Sequence, residues 1–151
     1  MSVTMEQVRA VLDSEEPNYV QGAQLGLDAL PYLESLVTGA DPMLASKATY
    51  LASLIRGEQS VRILQEAARS ESLVVRVAAA GAVRNLDESV ASDILFSLVD
   101  DQNIGVRKVA LESVPANVTP SLRDKIQDLT QTESNVEIRN LSGEVLDRLN
   151  Q

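Results

Sequence analysis

The side chains that could bind a metal ion lie close together between Asp101 and Glu112. Asp101, Asn103 and Glu112 fall at positions one, three and twelve of a calcium-binding loop, which takes oxygen ligands there. The same loop needs glycine at position six, where Val106 stands and Gly105 comes one residue too early. We therefore predict that this stretch is not a calcium site and that the chain has no metal ligands.

Few side chains are available for catalysis. The 151 residues include no His and no Cys. The side chain that most readily titrates near neutral pH and the reactive thiolate are therefore both missing. There is also no glycine-rich phosphate loop and no serine nucleophile elbow. We predict a protein that is not an enzyme and that uses no cofactor.

The composition narrows the class of partner. Acidic residues number 22 against 13 basic residues, giving a net charge of −9. A field of this sign repels nucleic-acid phosphates and anionic lipid surfaces, and favours neutral or basic partners. No apolar run reaches the roughly 20 residues needed to cross a bilayer, and the start of the chain does not resemble a targeting signal. We expect a cytoplasmic protein that binds neither nucleic acid nor membranes.

The sequence contains a helical pattern that repeats along the chain. Helix N-caps recur at intervals of 31, 31 and 32 residues, at Asp41, Ser72, Asn103 and Asn135. An apolar residue follows three positions after each cap, at Leu44, Val75, Val106 and Ile138. A small residue comes four positions later, at Ala48, Ala79, Ala110 and Ser142. Residues spaced by four lie on one face of a helix, so each cap begins a helix with a buried face.

A second apolar column precedes each cap and indicates another helix in every unit. Its members include Leu33, Leu64, Leu95 and Ile126, again 31 residues apart. Each unit is therefore a first (A) and a second (B) helix, which can bury its apolar edge only by stacking on its neighbours. Thr4 and Gln7 suggest a capping box for an added N-terminal helix.

We therefore predict an all-α fold, an α-solenoid in which about four helical hairpins form a right-handed superhelical stack. The whole chain is one domain. A capping helix covers about residues 3–14, and the units cover about 23–56, 57–86, 87–118 and 119–151.

The segments "VVRVAAAGAV", "IGVRKVALESV" and "VEIRNLSGEVL" resemble the second helices of HEAT repeats. Their short length is similar to the variant named after bacterial bilin-lyase subunits, and the resemblance covers about residues 23–149. It implies a hydrogen-bonded ladder between units, formed by the arginine near each B-helix start and an acid of a preceding turn. The resemblance implies that Asp101 pairs with Arg107 and that Glu133 pairs with Arg139. Ser70 occupies the equivalent position before Arg76 in place of an acid, so we expect the ladder to be interrupted there.

Solenoids of this kind line their concave side with B helices, which form an extended binding surface. We predict a protein or peptide partner there, with the candidate residues Tyr50, Val77, Arg84, Lys108 and Glu112. Tyr and Arg are enriched among interface residues that contribute most of the binding energy. The oligomeric state is left open.

Two alternatives follow from the resemblance. The chain could be an accessory subunit of a bilin-lyase-like or other enzyme complex, holding a cofactor or carrier protein. It could also be a HEAT-like DNA-repair glycosylase. The acidic charge and the lack of Trp argue against the glycosylase, which uses a basic groove with aromatic residues.

Overall fold

A computed structural model describes residues 2–151 and contains only helices and turns in that range. Two short 3-10 turns, Leu27–Ala29 and Val83–Asn85, accompany the α-helices. The α-helices are α1 Met5–Leu12, α2 Tyr19–Ala23, α3 Leu30–Val37, α4 Pro42–Leu54, α5 Glu58–Ala68, α6 Leu73–Ala82, α7 Glu88–Leu98, α8 Ile104–Glu112, α9 Pro120–Thr132 and α10 Val136–Leu149. Thr4 and Gln7 form the predicted capping box of α1, whereas α2 is an addition that the periodicity did not indicate.

The helices stack in two parallel layers. Helices α3, α5, α7 and α9 are the A helices, and each contacts the next one in this series. Helices α4, α6, α8 and α10 are the B helices, and they contact one another in the same consecutive order. This arrangement confirms the predicted all-α, α-solenoid fold.

The apolar columns of the sequence form the core between the two layers. The B-helix residues Leu44, Val75, Val106 and Ile138 are all buried. The A-helix residues Leu33, Leu64, Leu95 and Ile126 are fully buried. Burying one such side chain contributes about 1.5–3 kcal/mol, so the repeated column stabilises the stack along its whole length.

Three of the four predicted N-caps make the expected hydrogen bonds. The side chains of Asp41, Asn103 and Asn135 each accept from backbone amides in the first turn of their helices. Ser72 occupies the N-cap position of α6, but its side chain makes no cap bond. Its backbone amide instead donates to Oγ of Ser70 at 3.1 Å.

The arginine ladder is present, but its register differs from the prediction. Nη1 of Arg76 donates to the Ser70 carbonyl at 2.9 Å and to the Glu71 carbonyl at 3.2 Å, both in its own turn. Its Nε donates to Oδ1 of Asp101, in the turn of the following unit, at 3.0 Å. Ser70 contributes only a carbonyl to this contact, so the expected interruption at Arg76 is wrong.

Arg107 repeats the same geometry one unit later. Its Nη1 donates to the carbonyls of Asp101 and Gln102 at 3.0 and 3.3 Å, and its Nη2 donates to Oε1 of Glu133 at 3.0 Å. Each acid therefore pairs with the arginine of the unit before it, because one edge of the guanidinium fork faces its own turn and the other faces the next. The gap in the ladder lies in the first unit, where Ala45 replaces arginine.

Candidate partner-binding face

One face of the B helices lies outside the buried columns along the whole stack. Residues at spacing i, i+4 and i+8 from each helix start share that face. We call it the B-helix face, and its members are Pro42, Ser46 and Tyr50 on α4, Leu73, Val77 and Gly81 on α6, Ile104, Lys108 and Glu112 on α8, and Val136, Asn140 and Glu144 on α10. All twelve are exposed or half-buried.

A row of exposed apolar side chains runs along one edge of the B-helix face. Leu73, Ile104 and Val136 each follow directly after an N-cap, and they are 42%, 45% and 59% exposed. The first turn of a helix favours acidic and small polar residues, so three exposed aliphatic residues there are unusual. Sequence reasoning missed this row, although an apolar residue after three successive caps was its signal.

Lys108 and Glu112 lie together in a surface cavity of about 310 Å³ between α8 and α10. Glu137 and Glu144 also line it, so three carboxylate residues and one lysine share the cavity. Nζ of Lys108 lies 3.7 Å from Oε1 of Glu137. Both side chains are at least half exposed, so the pair is weak and this part of the face is net acidic.

Arg84 has a structural role that the sequence did not indicate. It lies in the 3-10 turn after α6, and its Nε donates to Oγ of Ser113 at 3.2 Å. Its Nη2 donates to the Glu112 carbonyl at 3.0 Å, so the guanidinium ties its own unit to the next one. The side chain is nevertheless exposed and borders the same helix as Lys108.

Tyr50 packs against a residue that the repeat pattern did not include. Its ring meets Tyr19 of α2 edge to face, with centroids 4.7 Å apart and an interplanar angle of 69°. Burial and the neighbouring Tyr50 raise the pKa of Tyr19 above its usual range. Tyr50 remains 38% exposed, on the first of the four B helices that form the B-helix face.

Val77 and Gly81 form the middle of the face on α6. Val77 is half-buried and packs against the core. A Cβ added to Gly81 would meet Cγ1 of Val109 at 3.8 Å, an ordinary van der Waals contact. Close helix packing therefore does not require this glycine.

The structure brings only some of the predicted site residues together. It groups Lys108 with Glu112 and ties Arg84 to the same helix, whereas Tyr50 lies two B helices away.

The residues of the rejected calcium loop have other roles. Oδ2 of Asp101 accepts from the Asn103 backbone amide at 2.9 Å, and the same carboxylate binds Arg76. Asn103 caps α8. Within residues 2–151, no group of three or more His, Cys, Asp or Glu side chains is placed to hold a metal ion. In the same range, no helix has the length and apolar character needed to cross a membrane.

Comparison with protein-family models gave no match, and comparison with curated proteins gave none either. Among solved structures, the chain is similar to a designed armadillo repeat protein, YIII(Dq.V1)4CPAF, in complex with the peptide (KR)4. The TM-score is 0.60 at 19% sequence identity, and the match covers 97% of this chain and 75% of that chain. At this identity the similarity supports the helical-repeat fold alone.

Proposed function

We propose that the chain is a non-catalytic scaffold that binds a protein or peptide partner along the B-helix face. The observation that carries this proposal is the exposed row of Leu73, Ile104 and Val136, with one residue on each of the last three B helices. Contiguous exposed apolar patches mark interaction surfaces, and we propose that the row forms such a patch along neighbouring B helices. Tyr50, Val77, Arg84, Lys108 and Glu112 are proposed to complete the contact, on the concave side of HEAT-like units.

The spacing of the row favours an extended peptide. Packed helices lie about 8–10 Å apart, so neighbouring units present their apolar residues at about that interval. A polyproline II chain returns to the same side every three residues, over about 9 Å. An apolar side chain at every third position of the ligand would therefore meet one unit after another.

The charge of the B-helix face favours a ligand that carries basic residues between its apolar positions. Glu112, Glu137 and Glu144 line one cavity with Lys108, and the whole chain has a net charge of −9. Lysine or arginine in the ligand would find acceptors there and would be attracted at long range. The designed armadillo repeat protein, solved with the peptide (KR)4, is a precedent for a helical-repeat stack paired with a basic peptide.

The direct test compares two triple variants. Leu73→Ser, Ile104→Ser and Val136→Ser remove the row. Val20→Ser, Leu27→Ser and Phe96→Ser remove apolar residues outside the B-helix face that are 75%, 60% and 42% exposed. A synthetic peptide with leucine at every third position and lysine elsewhere should bind the wild type and the control variant, and lose about tenfold or more in affinity for the row variant. Equal affinities in titration calorimetry would reject the proposal.

An accessory role in an enzyme complex is the alternative, and it would use the same face. Affinity purification with the wild type and with the row variant distinguishes the two roles. A lyase or carrier protein recovered only with the wild type would identify the accessory role.

A further inference from the structure

A surface cavity of about 370 Å³ lies at the turns between the A and B helices of the first two units. We call it the turn cavity. Its walls include Gly39 and Ala40 from one turn, Ser70 and Glu71 from the next, and Glu66 from α5. A corresponding cavity two units later is lined by Asp101, Gln102 and Glu133, but it also contains Arg107. The turn cavity is therefore the layer of the ladder that lacks its arginine.

The filled layers show what these walls bind. Arg76 and Arg107 each donate to the two carbonyls that lie six and five residues before them. Counting back the same six and five residues from Ala45 gives Gly39 and Ala40, which both line the turn cavity. In the described part of the chain, neither carbonyl accepts a backbone hydrogen bond. This layer thus has the two carbonyls that accept from arginine in the other layers, but it has Ala45 in place of the arginine.

The far wall of the turn cavity supplies negative charge. Oε2 of Glu66 is buried and has no hydrogen-bond partner among residues 2–151. Its pKa is raised, first by burial and then by the nearby carboxyl group of Glu34. The charges of Arg69 and Arg62, on the same helix, act in the opposite direction. The described lining contains the carboxylates of Glu66 and Glu71 but no Lys or Arg.

We propose that the turn cavity binds the guanidinium group of an arginine supplied by a partner, which completes the ladder in trans. The planar fork of arginine can reach two carbonyls with one edge, as Arg76 does. Ser70 stands in this layer where the next one has Asp101, so the other edge of the fork would face Glu66 instead. An ammonium group presents no such fork, so lysine should bind much more weakly. Free guanidinium salts are weaker ligands because they lack the aliphatic stem that packs on the cavity wall.

This site lies at the turns beside the B-helix face and shares only Pro42 with it, and its test does not depend on that face. The probe is N-acetyl-arginine methylamide, followed through the backbone amide signals of the 15N-labelled protein. Saturable shifts at Gly39, Ala40 and residues 70–72 are expected in the millimolar range. The citrulline analogue, which has the same shape without the charge, should bind about tenfold more weakly or less well still.

Four variants locate the binding. Ala45→Arg places the missing side chain in the first layer and should abolish the shifts, whereas Ala45→Gln should not. Glu66→Gln removes the carboxylate and should weaken the arginine probe selectively over the citrulline probe. Arg76→Ala should open a second cavity and add a probe-dependent shift at Asp101, which lies outside the turn cavity.

Two results would overturn the proposal. The first is an absence of saturable shifts at Gly39, Ala40 and residues 70–72 in the wild type. The second is equal affinity for the arginine and citrulline probes. If Ala45→Arg does not fold, the Glu66→Gln comparison still decides the question. Loss of peptide binding at the B-helix face would leave these outcomes unchanged, so the two proposals fail separately.

Discussion

Arg76 of α6 and Asp101 of the following unit are joined by a two-point contact, with Nε–Oδ1 at 3.0 Å and Nη2–Oδ2 at 3.3 Å. Both side chains are only 11% exposed. Two-point pairs between arginine and a carboxylate are stronger and more directional than single charge contacts. Together with Arg107 and Glu133, the contact connects three successive turns along one edge of the stack.

Removal of the Arg76 guanidinium should destabilise the protein strongly. Arg76→Ala leaves Asp101 partly buried without its charge partner, and we expect a loss of about 2–4 kcal/mol in the free energy of unfolding. Arg56→Ala is the matched control, because Arg56 and Asp87 form a pair that is 73% exposed on both sides. That change should cost less than about 1 kcal/mol. Urea unfolding followed by circular dichroism measures both, and similar losses for the two variants would contradict the ladder's role.

The register of the buried column can be tested with two single substitutions, each of which places one aspartate on α8. Val106 is fully buried, so Val106→Asp places an unpaired carboxylate in the stack and should unfold the protein. Ile104, two residues earlier, is 45% exposed, so Ile104→Asp should fold and keep the helical signal. A folded Val106→Asp protein with an unchanged melting temperature would show that the register is wrong.

Glu66 should make the stability depend on pH. Because its folded-state pKa is raised above the ordinary value of 4.5, its ionisation at neutral pH opposes folding. Glu66→Gln should therefore raise the melting temperature at pH 7. The gap to the wild type should shrink as the pH falls through the raised pKa and close below about 4.5. A gap that stays constant from pH 8 to pH 4 would be inconsistent with this assignment.

Gly81 offers a test of close approach by the partner. The space above it admits a methyl group, and alanine in a helix is favoured over glycine by about 1 kcal/mol. Gly81→Ala should therefore raise the stability by about 0.5–1 kcal/mol. If a ligand backbone contacts this position, the same change should weaken peptide binding. Unaltered stability would mean that the packing around α6 is tighter than the Val109 distance indicates.

The sequence predicted the local features of the fold well. The caps at Asp41, Asn103 and Asn135 and the buried column that includes Val106 follow from spacing alone, because they depend on contacts within one helix or one repeat. Arg76 was misassigned because its acid partner lies 25 residues later, in the next unit. The Tyr19–Tyr50 contact was missed for a similar reason, since α2 lies outside the repeat.

The candidate face was only partly predictable. Lys108 and Glu112 were selected by helix spacing, and the structure places them in one cavity. The apolar row was overlooked because exposure after a cap depends on how neighbouring turns pack. The role of Arg84 depends on a carbonyl 28 residues away, which periodicity cannot reveal.

The most direct test of partner binding is amide-shift mapping of the 15N-labelled protein during titration with the leucine–lysine peptide. We predict that the largest shifts fall at the B-helix positions Leu73, Val77, Ile104, Lys108 and Val136. Saturable binding with the largest shifts on the A helices α5, α7 and α9 would contradict the account.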